Sequence, residues 1–139
     1  MRIFAPFLIS LASLTFVACG GSTSGSAAET DPDPPAISNL VLSPTDIPVG
    51  KVSTVSGTVD FADKNADVSQ LAIDVTLPSG AKQSSGKTEL QGAKGNPGGR
   101  VAVAIFPQPP VAGRYLVEVY VVDAKGHESN HLNATLTAK

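Results

Sequence analysis

Gly113-Arg114-Tyr115-Leu116-Val117-Glu118-Val119-Tyr120-Val121 is the stretch that decides the fold. Tyr115, Val117, Val119 and Val121 recur at every second position. Successive side chains of a strand point to opposite faces, so this period predicts a strand with one buried face. The apolar members are β-branched or aromatic, as strands prefer.

The same reading extends outward in both directions. Val55, Gly57, Val59 and Phe61 alternate with Ser, Thr and Asp, following Val52. Leu71, Ile73, Val75 and Leu77 repeat the pattern, as do Val101, Val103 and Ile105, and then Leu132, Ala134 and Leu136. Between them stand turn formers: Pro44, Asp46, Pro48 and Gly50; Pro78-Ser79-Gly80; the glycine-rich 92–99 segment; Pro107, Pro109 and Pro110; and Asp123-Ala124-Lys125-Gly126. No stretch past residue 35 carries apolar residues at helical spacing over a helix length. The expected strands are about 37–43, 51–61, 69–77, 82–90, 99–106, 114–122 and 131–138. About seven short strands at this spacing predict an all-β, two-sheet sandwich over 36–139.

The remaining residues divide in two. Ile3 to Val17 is a mostly apolar run behind Arg2, and it ends at Cys19, the one cysteine of the chain. A membrane span needs about 20 apolar residues; this run is shorter and holds Pro6, Ser10, Ser13 and Thr15. It reads as a secretory signal over 1–18. Residues 19–35 then form a linker, Gly/Ser-rich at first and holding Pro32, Pro34 and Pro35 later. A flexible chain of that length spans roughly 20–25 Å. With a single cysteine no disulfide forms within the domain, so its stability has to come from packing.

Phe16-Val17-Ala18-Cys19 resembles the end of a bacterial lipoprotein signal peptide. That resemblance implies acylation of the Cys19 thiol, cleavage after Ala18 and anchoring to a lipid bilayer. Each buried lipid CH₂ contributes about 0.8 kcal/mol, so several chains make a stable anchor. Phe16 departs from the usual leucine. Gly20, in place of an inner-membrane-retaining aspartate, implies the outer membrane. The alternative is an ordinary cleaved signal with Cys19 left free. Within the domain, Leu42-Ser43-Pro44, Val55-Ser56-Gly57-Thr58-Val59, the 113–119 stretch and the 123–130 segment resemble bacterial immunoglobulin-like and fibronectin-type-III-like modules. The resemblance implies a tyrosine corner at Tyr115, whose hydroxyl would bond upstream backbone.

Charge narrows the partners. Loss of Arg2 takes one from 10 basic residues against 12 acidic, leaving the rest weakly acidic. Nucleic-acid affinity rests on phosphate neutralisation, so no nucleic-acid partner is expected. The expected partners are the bilayer and an envelope protein or glycan. Lys82, Lys87, Lys94 and Arg100 make the middle locally basic; this reads as an edge guarded against sheet-to-sheet pairing.

One segment has the chemistry of a cation site. Asp63, Asn65 and Asp67 alternate, with Asp60 just upstream. Calcium takes six to eight oxygens, and in a sandwich Asp123 or Glu128 would approach from the neighbouring loop. Val68 and the lack of a closing glutamate depart from the EF-hand pattern. The plainer reading is a polar turn whose carboxylates cap backbone donors. No other cofactor is expected. His127 and His131 lack a third ligand for a transition metal. Gly21 to Gly25 has threonine where a nucleophile elbow has serine, and no phosphate loop appears. Tyr120 is expected to face outward, too isolated for sugar stacking. The expected function is therefore a non-catalytic, membrane-anchored binding or structural module of the cell envelope. The alternative is a calcium-stabilised adhesion-type domain. A catalytic domain is a third reading, to be revived by a buried titratable pair in a cleft.

Overall fold

The computed structural model describes residues 33–139, which form eight strands: β1 (Ala36–Ser43), β2 (Asp46–Ile47), β3 (Val55–Ala62), β4 (Val68–Thr76), β5 (Lys82–Glu89), β6 (Gly98–Ile105), β7 (Gly113–Asp123) and β8 (Leu132–Ala138). The signal segment, Cys19 and the linker up to residue 32 lie outside the described residues. The described residues are all-β, an immunoglobulin-like sandwich of a three-stranded sheet, β1-β3-β6, and a five-stranded sheet, β2-β8-β7-β4-β5.

The expected strands are present, with two differences of detail. There is one strand more than the seven expected: β2 is a two-residue parallel pairing with β8, too short for periodicity to reveal. The strand expected from residue 51 begins at Val55. Residues 51–54 are drawn aside by a loop contact, Ser53 N–H donating to the Pro107 carbonyl at 2.9 Å, and Val52 is exposed.

The alternating valines meet between the sheets. Val55, Val59, Val103, Val117, Val119, Val121 and Leu136 are essentially inaccessible. Each side chain of this size contributes about 1.5–3 kcal/mol when fully buried, and this packing takes the place of disulfides. Gly57 matters for a different reason. It pairs with Leu42, beside a shift of register in β1 between Ser38 and Val41, and any Cβ on it would run into the Val41 carbonyl.

The sheets differ in width, and the difference positions everything described below. β1 lies over β8 and β7, so the three-stranded sheet ends with β6 above the β4 side of its partner. β5 extends past it, exposed along its whole length.

Candidate functional site

The expected site residues gather at one end of the sandwich. β3 ends at Ala62 and the chain turns on Asp63, whose side chain is buried. Asp63 Oδ1 accepts from the Asn65 N–H at 3.1 Å; Oδ2 accepts from Asp67 N–H at 2.8 Å and Val68 N–H at 3.1 Å. Ala66 takes a left-handed φ of 54° to close this turn. β7 ends the same way. Asp123, also buried, accepts from Lys125 N–H at 2.9 Å and His127 N–H at 2.8 Å through Oδ1, and meets His127 Nδ1 at 2.8 Å through Oδ2. The two turns are joined by Ala124 N–H donating to the Asp67 carbonyl at 2.9 Å.

Asp67 sits between the two capping carboxylates. Its Oδ1 is buried without a hydrogen-bond partner. Burial pushes the Asp67 carboxyl up, and a hydrogen bond with Asp63 and the charges of Asp123 and Asp63 push it the same way. The Asp67 carboxyl therefore holds a proton more readily than a free aspartate does. Burial pushes Asp123 up as well, but the donors of His127 and Lys125 outweigh it and hold the group below its ordinary value.

The structure thus brings Asp63, Asp67 and Asp123 together and leaves two expected residues apart. Asn65 is an exposed member of the turn. Asp60 lies on β3, where it accepts from Arg100 Nε at 2.6 Å and Nη2 at 3.2 Å and from Asn39 Nδ2 at 3.0 Å. The Arg100 guanidinium lowers the Asp60 carboxyl to about 2. Glu128 faces Lys87 and His131 instead, at 3.7 and 3.6 Å. Among the described residues, no group of three or more His, Cys, Asp or Glu side chains has the arrangement of a metal site.

The other singled-out residues are structural in their contacts. Tyr115 is buried and donates its hydroxyl to the Val111 carbonyl at 2.8 Å. Tyr120 is on the outer face as expected, but it is covered: the His131 ring stacks on it at 4.2 Å and 7°. His131 Nδ1 in turn meets Glu118 Oε1 at 3.0 Å, and that hydrogen bond holds the Glu118 carboxyl below its ordinary value. The basic residues form no single patch. Lys82 pairs with Glu118 and Lys87 with Glu128 on the five-stranded sheet, whereas Arg100 belongs to the other sheet. Lys94 lies in the loop between β5 and β6.

The opposite end is built differently. There the 48–54 and 106–112 loops meet, with Gly50 N–H donating to the Pro109 carbonyl at 2.8 Å. Val52, Phe106 and Val111 are more than half exposed. Beside them opens a groove of about 550 Å³, lined by Val75, Leu77, Ile105, Pro107 and Pro109 with Gln83 and Ser85 at its polar side. In the sequence these prolines signal only that a strand stops; nothing in their spacing marks a groove.

No protein-family model matches this chain, and no curated protein matches it in sequence. Solved structures do resemble it. A superoxide reductase (neelaredoxin) from Ignicoccus hospitalis aligns with a TM-score of 0.52 at 7% identity, over 82% of this chain and 89% of that one. The PKD domain of an M14-like peptidase from Thermoplasmatales archaeon SCGC AB-540-F20 aligns with a TM-score of 0.47 at 20% identity, over 76% of this chain and 96% of its own. At 7% identity the reductase likeness is one of fold alone.

Proposed function

We propose that this chain is a lipid-anchored protein of the cell envelope that displays a non-catalytic immunoglobulin-like binding module. The observation that carries the reading is Phe16-Val17-Ala18-Cys19 placed ahead of a Gly/Ser/Pro linker and a sandwich that starts at Ala36. Two facts support it. The buried carboxylates Asp63 and Asp123 are engaged by backbone amides, which suits a loop-holding role. Asp33 pairs with Lys64 at 2.9 Å, so the tether leaves the domain beside the acidic turns. On this reading the Phe106 end faces away from the membrane, where a partner is met.

The test is metabolic labelling with a clickable fatty acid in a bacterial host that processes lipoproteins. Wild type should be labelled and membrane-bound, and Cys19→Ser unlabelled. Unlabelled wild-type protein would refute the anchor.

A second reading is favoured by Asp67 Oδ1, a buried oxygen with no donor. In the adhesion-type alternative, calcium would neutralise Asp63, Asp67 and Asp123. Melting in millimolar calcium against chelator tests it; equal midpoints leave the turns as protein-only caps.

A further inference from the structure

The described sandwich has four sheet edges, and three of them are blunted. β1 carries a register shift and Asn39 at a φ of 53°. β2 is two residues long. β5 has Lys82, Lys87 and Glu89, a register shift against β4 and Gly86 at a φ of 85°. These are the devices by which edge strands avoid foreign pairing. β6 has none of them past Arg100. Val101-Ala102-Val103-Ala104-Ile105 contains no charge, proline or bulge, and it pairs with β3 in unbroken register. Every second residue of such a strand turns its N–H and C=O away from its one neighbour. No backbone bond beyond those to β3 engages Val101–Ile105 among the described residues.

The surroundings of this edge select its occupant. The groove of about 550 Å³ opens beside Ile105. A second cavity, about 320 Å³, lies beside the first half of the strand and is lined by Leu90, Ala93, Arg100, Val101 and Ala102. A trough with a hollow at each end therefore follows the β6 edge. Its floor is β5, whose Gln83 and Ser85 are exposed and uncharged. A second copy of the sandwich does not fit there. Pairing β6 to another β6 would bring a second five-stranded sheet into the layer that β5 already occupies. A single strand has no layer beneath it and meets no such clash. The edge is also short: five residues and two hollows fall below the roughly 1,200–2,000 Å² that a stable protein pair buries.

We propose that β6 is a docking edge for one extended segment of another polypeptide, added as the fourth strand of the three-stranded sheet. Main-chain hydrogen bonds to Val101–Ile105 hold it, and its alternate side chains face the trough. Inward side chains four residues apart stand about 13 Å from each other, which suits one apolar residue in each hollow. The residues between them meet Gln83 and Ser85 and are small or uncharged. This inference rests on the binding-module reading and names its partner class. It is independent of the anchor: failure of Cys19 labelling leaves it standing.

The test uses the full-length protein, purified in mild detergent whether it is recovered from the membrane or the soluble fraction. The probes are fluorescent nine-residue peptides with Thr alternating with Val, Leu or Phe and lysine at both ends. The controls carry proline at the two central Thr positions. Anisotropy reads affinity and hydrogen exchange reads the site. The expected result is slowed exchange confined to the 98–106 and 82–86 segments, with at least tenfold weaker binding of the proline controls. Gln83→Arg, an exposed change in the trough floor, should weaken binding by a similar factor while leaving the melting midpoint in place. Equal binding of the proline controls, protection elsewhere, absence of binding by every peptide at millimolar concentration, or protection of 98–106 that grows with protein concentration alone would each overturn the proposal.

Discussion

The two ends of the sandwich handle polar and apolar groups in opposite ways. At the acidic end two aspartates are buried, and each carboxylate gathers the N–H groups of its own turn. At the other end apolar groups are exposed: Val52, Phe106 and Val111 stand in solvent beside an open groove. The difference teaches where the domain is held and where it is free. A buried carboxylate that satisfies several donors leaves a large desolvation penalty if removed. An exposed phenylalanine contributes little to folding, and together with Val52, Val111 and the groove it makes an apolar surface of the kind that marks interaction sites.

The largest expected effect tests the closed end. Asp63→Ala removes the acceptor for three backbone N–H groups, one of them the buried Val68 donor. Denaturant unfolding should show a loss of about 2–3 kcal/mol. A loss below about 0.5 kcal/mol would mean that the turn holds without its cap, and the contrast between the ends would fail.

Tyr115→Phe comes next and probes a buried side-chain anchor of the open end, the bond to the Val111 carbonyl. The expected loss is about 1 kcal/mol, the net value of a typical hydrogen bond. For a domain of about 100 residues that lowers the melting midpoint by roughly 4 °C. It is smaller than for Asp63 because one neutral bond is lost and Val111 is exposed to water.

Asp67→Asn should go the other way. The Asp67 carboxyl is raised in the folded protein by burial and by Asp63. A raised acid destabilises the fold fully above its folded pKa, and the penalty declines as pH falls from there to the ordinary 3.8, where both states are protonated. The amide carries no charge and can donate to Asp63, so the variant should melt a few degrees higher at pH 7. The gain should shrink as pH falls below the folded pKa of Asp67 and vanish near the ordinary 3.8. The lowered groups behave oppositely. Asp60 contributes stability above its ordinary 3.8 that is lost as pH falls towards about 2, and Asp123, also lowered, follows the same sign. Midpoints measured from pH 7 to pH 2 in wild type, Asp67→Asn and Asp60→Asn separate these contributions.

The smallest effect sharpens the contrast from the open end. Phe106→Ser should change stability by no more than about 0.5 kcal/mol, because the ring is largely exposed. A large loss in thermal melting would show that Phe106 packs after all and that the end is not free.

Most strands were legible because their signal is local. Val117, Val119 and Val121 announce a buried face whatever they pack against. The acidic turn was legible for the same reason: Asp63, Asn65 and Asp67 lie within five residues, and a turn needs only local donors. The exact set was not. Asp60 looked like a neighbour of Asp63 in the chain, yet it lies on β3 and meets Arg100, 40 residues away. Alternation places Tyr120 on the outer face but does not show that it is covered, because its cover, His131, comes from just ahead of β8, the strand paired with β7.

By itself the sequence determined the strand periodicity, the places where strands end, the lack of any disulfide and the presence of an acidic turn. Each follows from residues close together in the chain, through side-chain alternation, backbone restriction at proline and glycine, or short-range capping. Only the tertiary structure decided which carboxylates converge, that β5 outreaches the smaller sheet, and that β6 is left with an unguarded edge above a trough. Those properties depend on which strands lie side by side and which lie one above the other. Strand pairing joins residues far apart in sequence, and a periodic pattern of valines is compatible with many such pairings.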